Sequence, residues 1–342
     1  MSKKASELTD AEEKRAKQIF QTSNVVDCLT YGPRMAQRDY LTTMRDAGVA
    51  THFSVMDHAD NLIQALEHIA DWHEMVLEND AIIARTPQDF TTAKELNRPC
   101  LIMGSQNPKP FEESLSNVRI LHELGLRIVQ LAYNSPNYIG TGGSEPDSGV
   151  TEYGKEVIKE MNRVGILIDV SHCGDKTVMD AIKYSEKPIA ITHANPRDLV
   201  DRTRNKTKEQ MLALAESGGV FGLTAWSNIS MVEEGVRPHL EDFLDMMEYV
   251  INLIGIDHVG FGLDLTPHWD WAPDDYYNEF RRLYPNLSVD RVEDRTVEGL
   301  HHVSEIHNIS RGLVARGYSD DDISKVLGGN FINLFDKVWS NN

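Results

Sequence analysis

Ile166-Leu167-Ile168-Asp169-Val170-Ser171-His172 and Pro188-Ile189-Ala190-Ile191-Thr192-His193 are two short apolar runs, each ending in histidine, and they decide the reading of this chain. Each is β-branched and apolar, the pattern of a strand buried on both faces. The stretch between them, Asp175 to Glu186, has helical composition. A strand–helix–strand unit is parallel, so both strands end on the same side of the sheet. His172 and His193 are therefore expected side by side on the rim where α/β proteins build their sites. Imidazole is the commonest metal ligand near neutral pH. One strand-end histidine would read as a polar residue closing a strand; two on neighbouring strands favour a metal site.

Working outward, six more runs read as strands: Asn24–Asp27, Gly48–Val55, Cys100–Gly104, Leu126–Tyr133, Gly219–Trp226 and His258–Leu265. Helical patterns separate nearly all of them. Asn61–Glu78, Phe111–Leu124, Thr151–Val164, Lys208–Ser217 and Leu240–Ile254 each carry an apolar stripe at helical spacing. Eight strand–helix units in 342 residues predict one closed (β/α)8 barrel of the TIM type. An open doubly wound sheet is the alternative, weakened because no Gly-x-Gly-x-x-Gly follows the first strand. A single domain spans 1–342, with a short helical extension (1–22), an aromatic rim loop (267–292) and C-terminal helices (303–339).

The net charge of −19 argues against nucleic acid and anionic membranes as partners. The three cysteines, Cys28, Cys100 and Cys173, form no disulfide pattern, so a reducing cytoplasmic setting is expected. The polar first 20 residues do not read as a signal peptide, and no apolar run is long enough to span a membrane.

The strand ends define the expected rim. Strand 1 offers Asp27, Cys28 and Tyr31; strand 2 offers His52, then Asp57 and His58. Strand 3 ends in Met103-Gly104-Ser105-Gln106-Asn107, strand 4 in Tyr133-Asn134, and strand 8 in Asp264. Histidines and an aspartate around one mouth suit metal-assisted hydrolysis: the metal acidifies a water, and the aspartate takes its proton. Alone, Asp264 reads equally as a helix cap or ion-pair partner.

Several motifs resemble the membrane (renal) dipeptidase family of metallopeptidases: Leu131-Ala132-Tyr133-Asn134, Tyr153-Gly154-Lys155-Glu156-Val157, Asp169-Val170-Ser171-His172, Thr192-His193-Ala194, Arg204-Asn205-Lys206, His258-Val259-Gly260-Phe261-Gly262-Leu263-Asp264 and Leu327-Gly328-Gly329-Asn330-Phe331. The resemblance implies a (β/α)8 barrel, usually a homodimer, with a binuclear zinc site hydrolysing dipeptides and related small amides. It assigns His172 and His193 to the second zinc. Arg204, with Asn205 beside it, is assigned to a substrate carboxylate, which a guanidinium grips bidentately. Asp264 is assigned to proton handling.

The departures from that pattern are as informative. Where the family has Asp-Gly-His-x-Asp, this chain has Asp27-Cys28-Leu29-Thr30-Tyr31. Where it has Glu-Gly-Gly-His, this chain has Met103-Gly104-Ser105-Gln106, and Tyr133 replaces a histidine that steadies the tetrahedral intermediate. Leu and Met are no substitute for His and carboxylate at zinc. One zinc ion is therefore expected in preference to two, on His172 and His193, with His52 the first candidate for a third ligand and Cys28 or Asp264 the others; Cys28 reads more readily as a core residue, His52 reads equally as a buried hydrogen-bonded histidine, and a metal-free site is the alternative. The expected activity is hydrolysis of a dipeptide or related small amide carrying a carboxylate, with Asp264 and Tyr133 catalytic. The alternatives are lyase or isomerase chemistry on the same barrel, or a binding protein without catalysis.

Overall fold

A computed structural model of the chain describes residues 3–30, 34–56, 59–143, 146–233, 235–265, 282 and 295–339, with backbone alone over 34–39. Tyr31, Asp57, His58 and, apart from residue 282, the rim segment 267–292 lie outside the described residues.

The strands are β1 (Val25–Thr30), β2 (Val49–Ser54), β3 (Ile82–Ile83), β4 (Cys100–Ser105), β5 (Leu126–Gln130), β6 (Leu167–Asp169), β7 (Ala190–Ala194), β8 (Val220–Leu223) and β9 (Val259–Phe261). Their order is β1-β2-β4-β5-β6-β7-β8-β9, every pair is parallel, and β3 adds to β4 from outside this path. The ring closes through a parallel bridge between Thr30 and Leu265. Beside it the Asp264 N–H donates to Leu29 O at 3.0 Å, and the Leu263 N–H donates to the Asp27 carboxyl at 2.8 Å. All eight expected strands are present and form the expected (β/α)8 barrel; the two-residue β3 is an addition.

The helices are α1 (Asp10–Thr22), α2 (Arg34–Ala47), α3 (Leu62–Glu78), α4 (Gln88–Glu95), α5 (Leu115–Glu123), α6 (Glu152–Val164), α7 (Asp175–Tyr184), α8 (Lys208–Glu216), α9 (Ser227–Ser230), α10 (Leu240–Ile254), α11 (His307–Ala315), α12 (Asp320–Ser324) and α13 (Asn330–Trp339). Sequence periodicity had not marked α2 or α4. Within the expected C-terminal helices (303–339), the stretch from Asp320 to Trp339, helical in composition throughout, is broken by a wide turn at Lys325–Gly329. There Gly328 packs so closely on β1 that a Cβ would lie 2.9 Å from the Val26 nitrogen.

This break turns α13 under the barrel floor. The Asn330 side-chain amide donates to Ile256 O at 2.7 Å and Val259 O at 2.8 Å. Phe331 then enters the space left by two strand glycines: a Cβ on Gly260 would be 2.6 Å from its ring, and one on Gly222 3.2 Å. Phe331, Phe335 and Trp339 stack in sequence. They join Val26, Cys28, Ile102, Ile128, Leu167, Ala190 and Val220 in one inner core. Burying a phenylalanine contributes roughly 1.5–3 kcal/mol, so the Gly-Gly-Asn-Phe motif of the tail serves the floor of the barrel. A second core, holding Phe53, Leu101, Met103, Val129 and Ile168, lies between strands and helices.

Candidate active site

The site begins at Asp169, the last residue of β6. Its carboxylate is fully buried and accepts four hydrogen bonds: from Ser171 N (2.9 Å), Ser171 Oγ (2.5 Å), Thr192 N (3.1 Å) and Thr192 Oγ1 (2.9 Å). It thereby laces the end of β6 to β7. With its proton given to Asp169, the Thr192 hydroxyl accepts from His193 Nδ1 at 2.7 Å. His172 Nδ1 lies 2.8 Å from Asn134 Oδ1, also an acceptor. Both imidazoles are thus Nδ1–H tautomers, assigned from their partners. Their Nε2 lone pairs face each other across 3.0 Å. Burial first, then the Arg204 charge, pushes both histidines well below the ordinary histidine range. The two Nε2 atoms thus converge in a setting that disfavours protonation.

Arg204 underlies the pair. It is buried, donating from Nη1 to Ser171 O and from Nη2 to His193 O at 2.7 Å. Burial lowers its guanidinium to about 10, opposed by the charges of Asp264 and Asp169. The Asp264 charge thus acts on the same cluster, from a backbone with φ of 59°. That left-handed conformation is tolerated by Asp better than by most residues. Tyr133 lays its ring on that of His172, with centroids 4.3 Å apart and planes at 22°. Asn205 is different. Its amide donates to Val200 O and Ile229 O, each at 2.9 Å, and its Oδ1 accepts from Asn195 N. Its polar atoms are engaged with the loop behind the site, so a role on the substrate is not carried forward.

The β1–β4 side of the mouth is built otherwise. On β4, Met103 belongs to the outer core, whereas Ile102 belongs to the inner one. The inward residue after Ile102 is Gly104, so the Met103 of the sequence comparison points away from the mouth. The place of a side chain at 104 is taken by His52: a Cβ there would lie 2.6 Å from His52 Cδ2 and 2.8 Å from Ile128 O. His52 is buried, and its Nδ1 lies 2.6 Å from Cys28 O. Its charge, if protonated, would act on His193. Cys28 is part of the inner core, and burial first holds its thiol well above the ordinary range, which does not suit a thiolate ligand. Leu29 is fully buried.

The structure thus brings together His172, His193, Arg204, Asp264 and Tyr133, with His52 across the barrel. Sequence reasoning missed Asp169 as the hub and Asn134 as the partner of His172. Both stood in quoted motifs, and a carboxylate two residues before a strand-end Ser-His was the available signal. Among the described residues, no group of three His, Cys, Asp or Glu side chains is arranged to hold a metal ion.

The profile of the membrane dipeptidase family (Peptidase family M19) matches residues 30–274, and the chain belongs to that family. It is 26% identical over 298 residues to the dipeptidase tcpJ of Claviceps purpurea, covering 86% of this chain and 63% of that protein. To the dipeptidase verJ of Clonostachys rogersoniana it is 27% identical over 259 residues, covering 75% and 60%. The chain spans about three-fifths of the length of these curated relatives. The crystal structure of an amidohydrolase from Pseudomonas aeruginosa matches at a TM-score of 0.85 and 29% identity, over 95% of this chain and 99% of that one. The probable dipeptidase PvdM of the same organism shares the fold at a TM-score of 0.79 and 20% identity, over 97% and 99%.

The family's two-zinc centre does not fit these residues. Leu29 and Gly104 offer no donor, and His52 fills the space above Gly104. The other half fits the nitrogen part of one seat, through His172 and His193.

Proposed function

We propose that this chain hydrolyses a small amide, dipeptide-like and carrying a carboxylate, at the mouth between β6, β7 and β9. The observation that carries the reading is the pair of imidazole Nε2 atoms converging to 3.0 Å. His172 and His193 would hold a single divalent ion, zinc by family resemblance, with His52 a further candidate imidazole ligand. Such an ion, when bound, acidifies water and polarises a carbonyl. Arg204 has spent two of its five donors on backbone, and the guanidinium receives the substrate carboxylate. Asp264 accepts the proton of the attacking water and returns it to the departing amine. The Tyr133 phenol donates to the carbonyl oxygen as it gains charge.

A metal-free reaction on the same groups, of lyase or isomerase type, is the second reading; the missing ligands on β1 and β4 favour it. The three cysteines are free and buried, consistent with a cytoplasmic protein. No described helix is long and apolar enough to cross a membrane. A homodimer follows from the family resemblance, and light scattering tests it. Elemental analysis of the purified protein with a dipeptide panel tests the main reading. About one transition-metal ion per chain, lost together with turnover in His172→Gln, is expected. No bound ion, and turnover indifferent to chelator, overturns it in favour of the second reading.

A further inference from the structure

Three successive carbonyls frame His172, and each is held by a different donor. Ser171 O receives Arg204 Nη1, His172 O receives the Gly143 N–H at 2.8 Å, and Cys173 O receives Lys206 Nζ at 2.8 Å. The His172 amide itself donates to Gln130 Oε1 at 3.2 Å. Residues 204 and 206 thus grip residues 171 and 173, one on each side of the histidine. Of the two, Lys206 is the more costly. Its side chain is fully inaccessible to solvent, and its one side-chain partner among the described residues is the Cys173 carbonyl. Burial, with Arg204 nearby, brings its ammonium down to about 7. Burying a lysine with so few compensating bonds is destabilising, so stability alone does not account for it. Its backbone is fixed independently, the Lys206 N–H donating to Asn195 O and its carbonyl accepting from Arg197 N, both at 2.9 Å.

We infer that Lys206 is a positioning residue, which sets His172 against His193 and Tyr133 by holding the Cys173 carbonyl. This rests on His172 belonging to the working site, so the test reads His172 directly as well as turnover. In protein labelled with [15N]histidine, the His172 Nδ1–H held by Asn134 gives a resonance identified by its absence in His172→Gln. In Lys206→Met, whose side chain fills the same space without a donor, that resonance shifts or broadens. Dipeptide kcat falls at least tenfold, KM stays within about twofold, and the melting temperature does not fall. Lys206→Arg, which keeps a cationic donor, recovers most of the signal and the rate. An unmoved His172 resonance in Lys206→Met, whatever the melting temperature, overturns the inference. A moved resonance with unchanged turnover upholds the positioning and instead overturns the role of His172 in the reaction. If Lys206→Met does not fold, Lys206→Gln is read in the same way.

Discussion

The two halves of the barrel mouth are made of different material. Between β6 and β7, nearly every atom near the histidines is wired: Asp169 accepts four hydrogen bonds, and both imidazoles have their Nδ1 engaged. Between β1 and β4, Cys28 packs into the inner core, Leu29 is buried, and a histidine is laid over Gly104. A site under one chemical demand would be wired on both sides. The difference is that this chain wires the half that carries the histidine pair and Arg204, and packs the other with apolar side chains and with His52 over Gly104.

The strongest way to break this comparison is to exchange one residue on each side. His172→Gln removes a facing lone pair, and kcat/KM on dipeptides falls by about 10²–10⁴. Leu29→Val, a small change in the filled half, leaves kcat/KM within about threefold. Comparable losses from both in steady-state assays would mean that both halves work.

The wired half was the more legible in the sequence, because its strands are near-continuous apolar runs and its polar residues sit at their ends. Parallel strands buried on both faces announce themselves by composition, which is why all eight were readable. The filled half was misread by one residue at Met103. Neither Met nor Gly carries a polarity that tells inside from outside, so strand register there became visible only in the packing. The tail failed for a similar reason: residues 320–339 have helical composition throughout, and the break comes from the tertiary contact of Gly328 with β1. At Asn205 the sequence is ambiguous, because an amide that ties backbone together looks, in sequence, like one that ties down a ligand.

The two buried aspartates sharpen the contrast. Asp27, on the filled side, has one close donor, Leu263 N at 2.8 Å, and two distant ones, Thr30 Oγ1 at 3.3 Å and Leu29 N at 3.4 Å. Burial therefore prevails and raises its carboxyl from 3.8 to about 7. Between those values the folded state holds a proton that the unfolded chain has released. Stability then falls as pH rises through the window from about 4 to 7, by a ceiling on the order of 4 kcal/mol. Asp27→Asn keeps an acceptor for Leu263 and removes the titration, so its advantage over the parent grows from pH 5 to pH 8 in urea unfolding. An advantage that shrinks over that range would mean that the carboxylate form is the one the fold favours.

Met103→Ala tests the register of β4. A methionine in the outer core costs about 2–5 kcal/mol when cut to alanine, while kcat per folded molecule is unchanged. A fall in kcat without loss of stability would put residue 103 back in the mouth.

The smallest effect separates conformation from charge at Asp264. Its left-handed backbone suits Asp and Asn and is strained for alanine by roughly 1–2 kcal/mol. The Asp264 N–H is part of the seam, donating to Leu29 O at 3.0 Å, so strain there loosens the junction where the wired half meets the filled one. Asp264→Asn is expected to unfold at nearly the parental urea concentration while losing the proton acceptor and hence turnover. Asp264→Ala loses the same turnover and, in addition, about 1 kcal/mol of stability. If the two variants are equally stable, the φ of 59° at this position carries no strain, and the aspartate is held there by its chemistry alone.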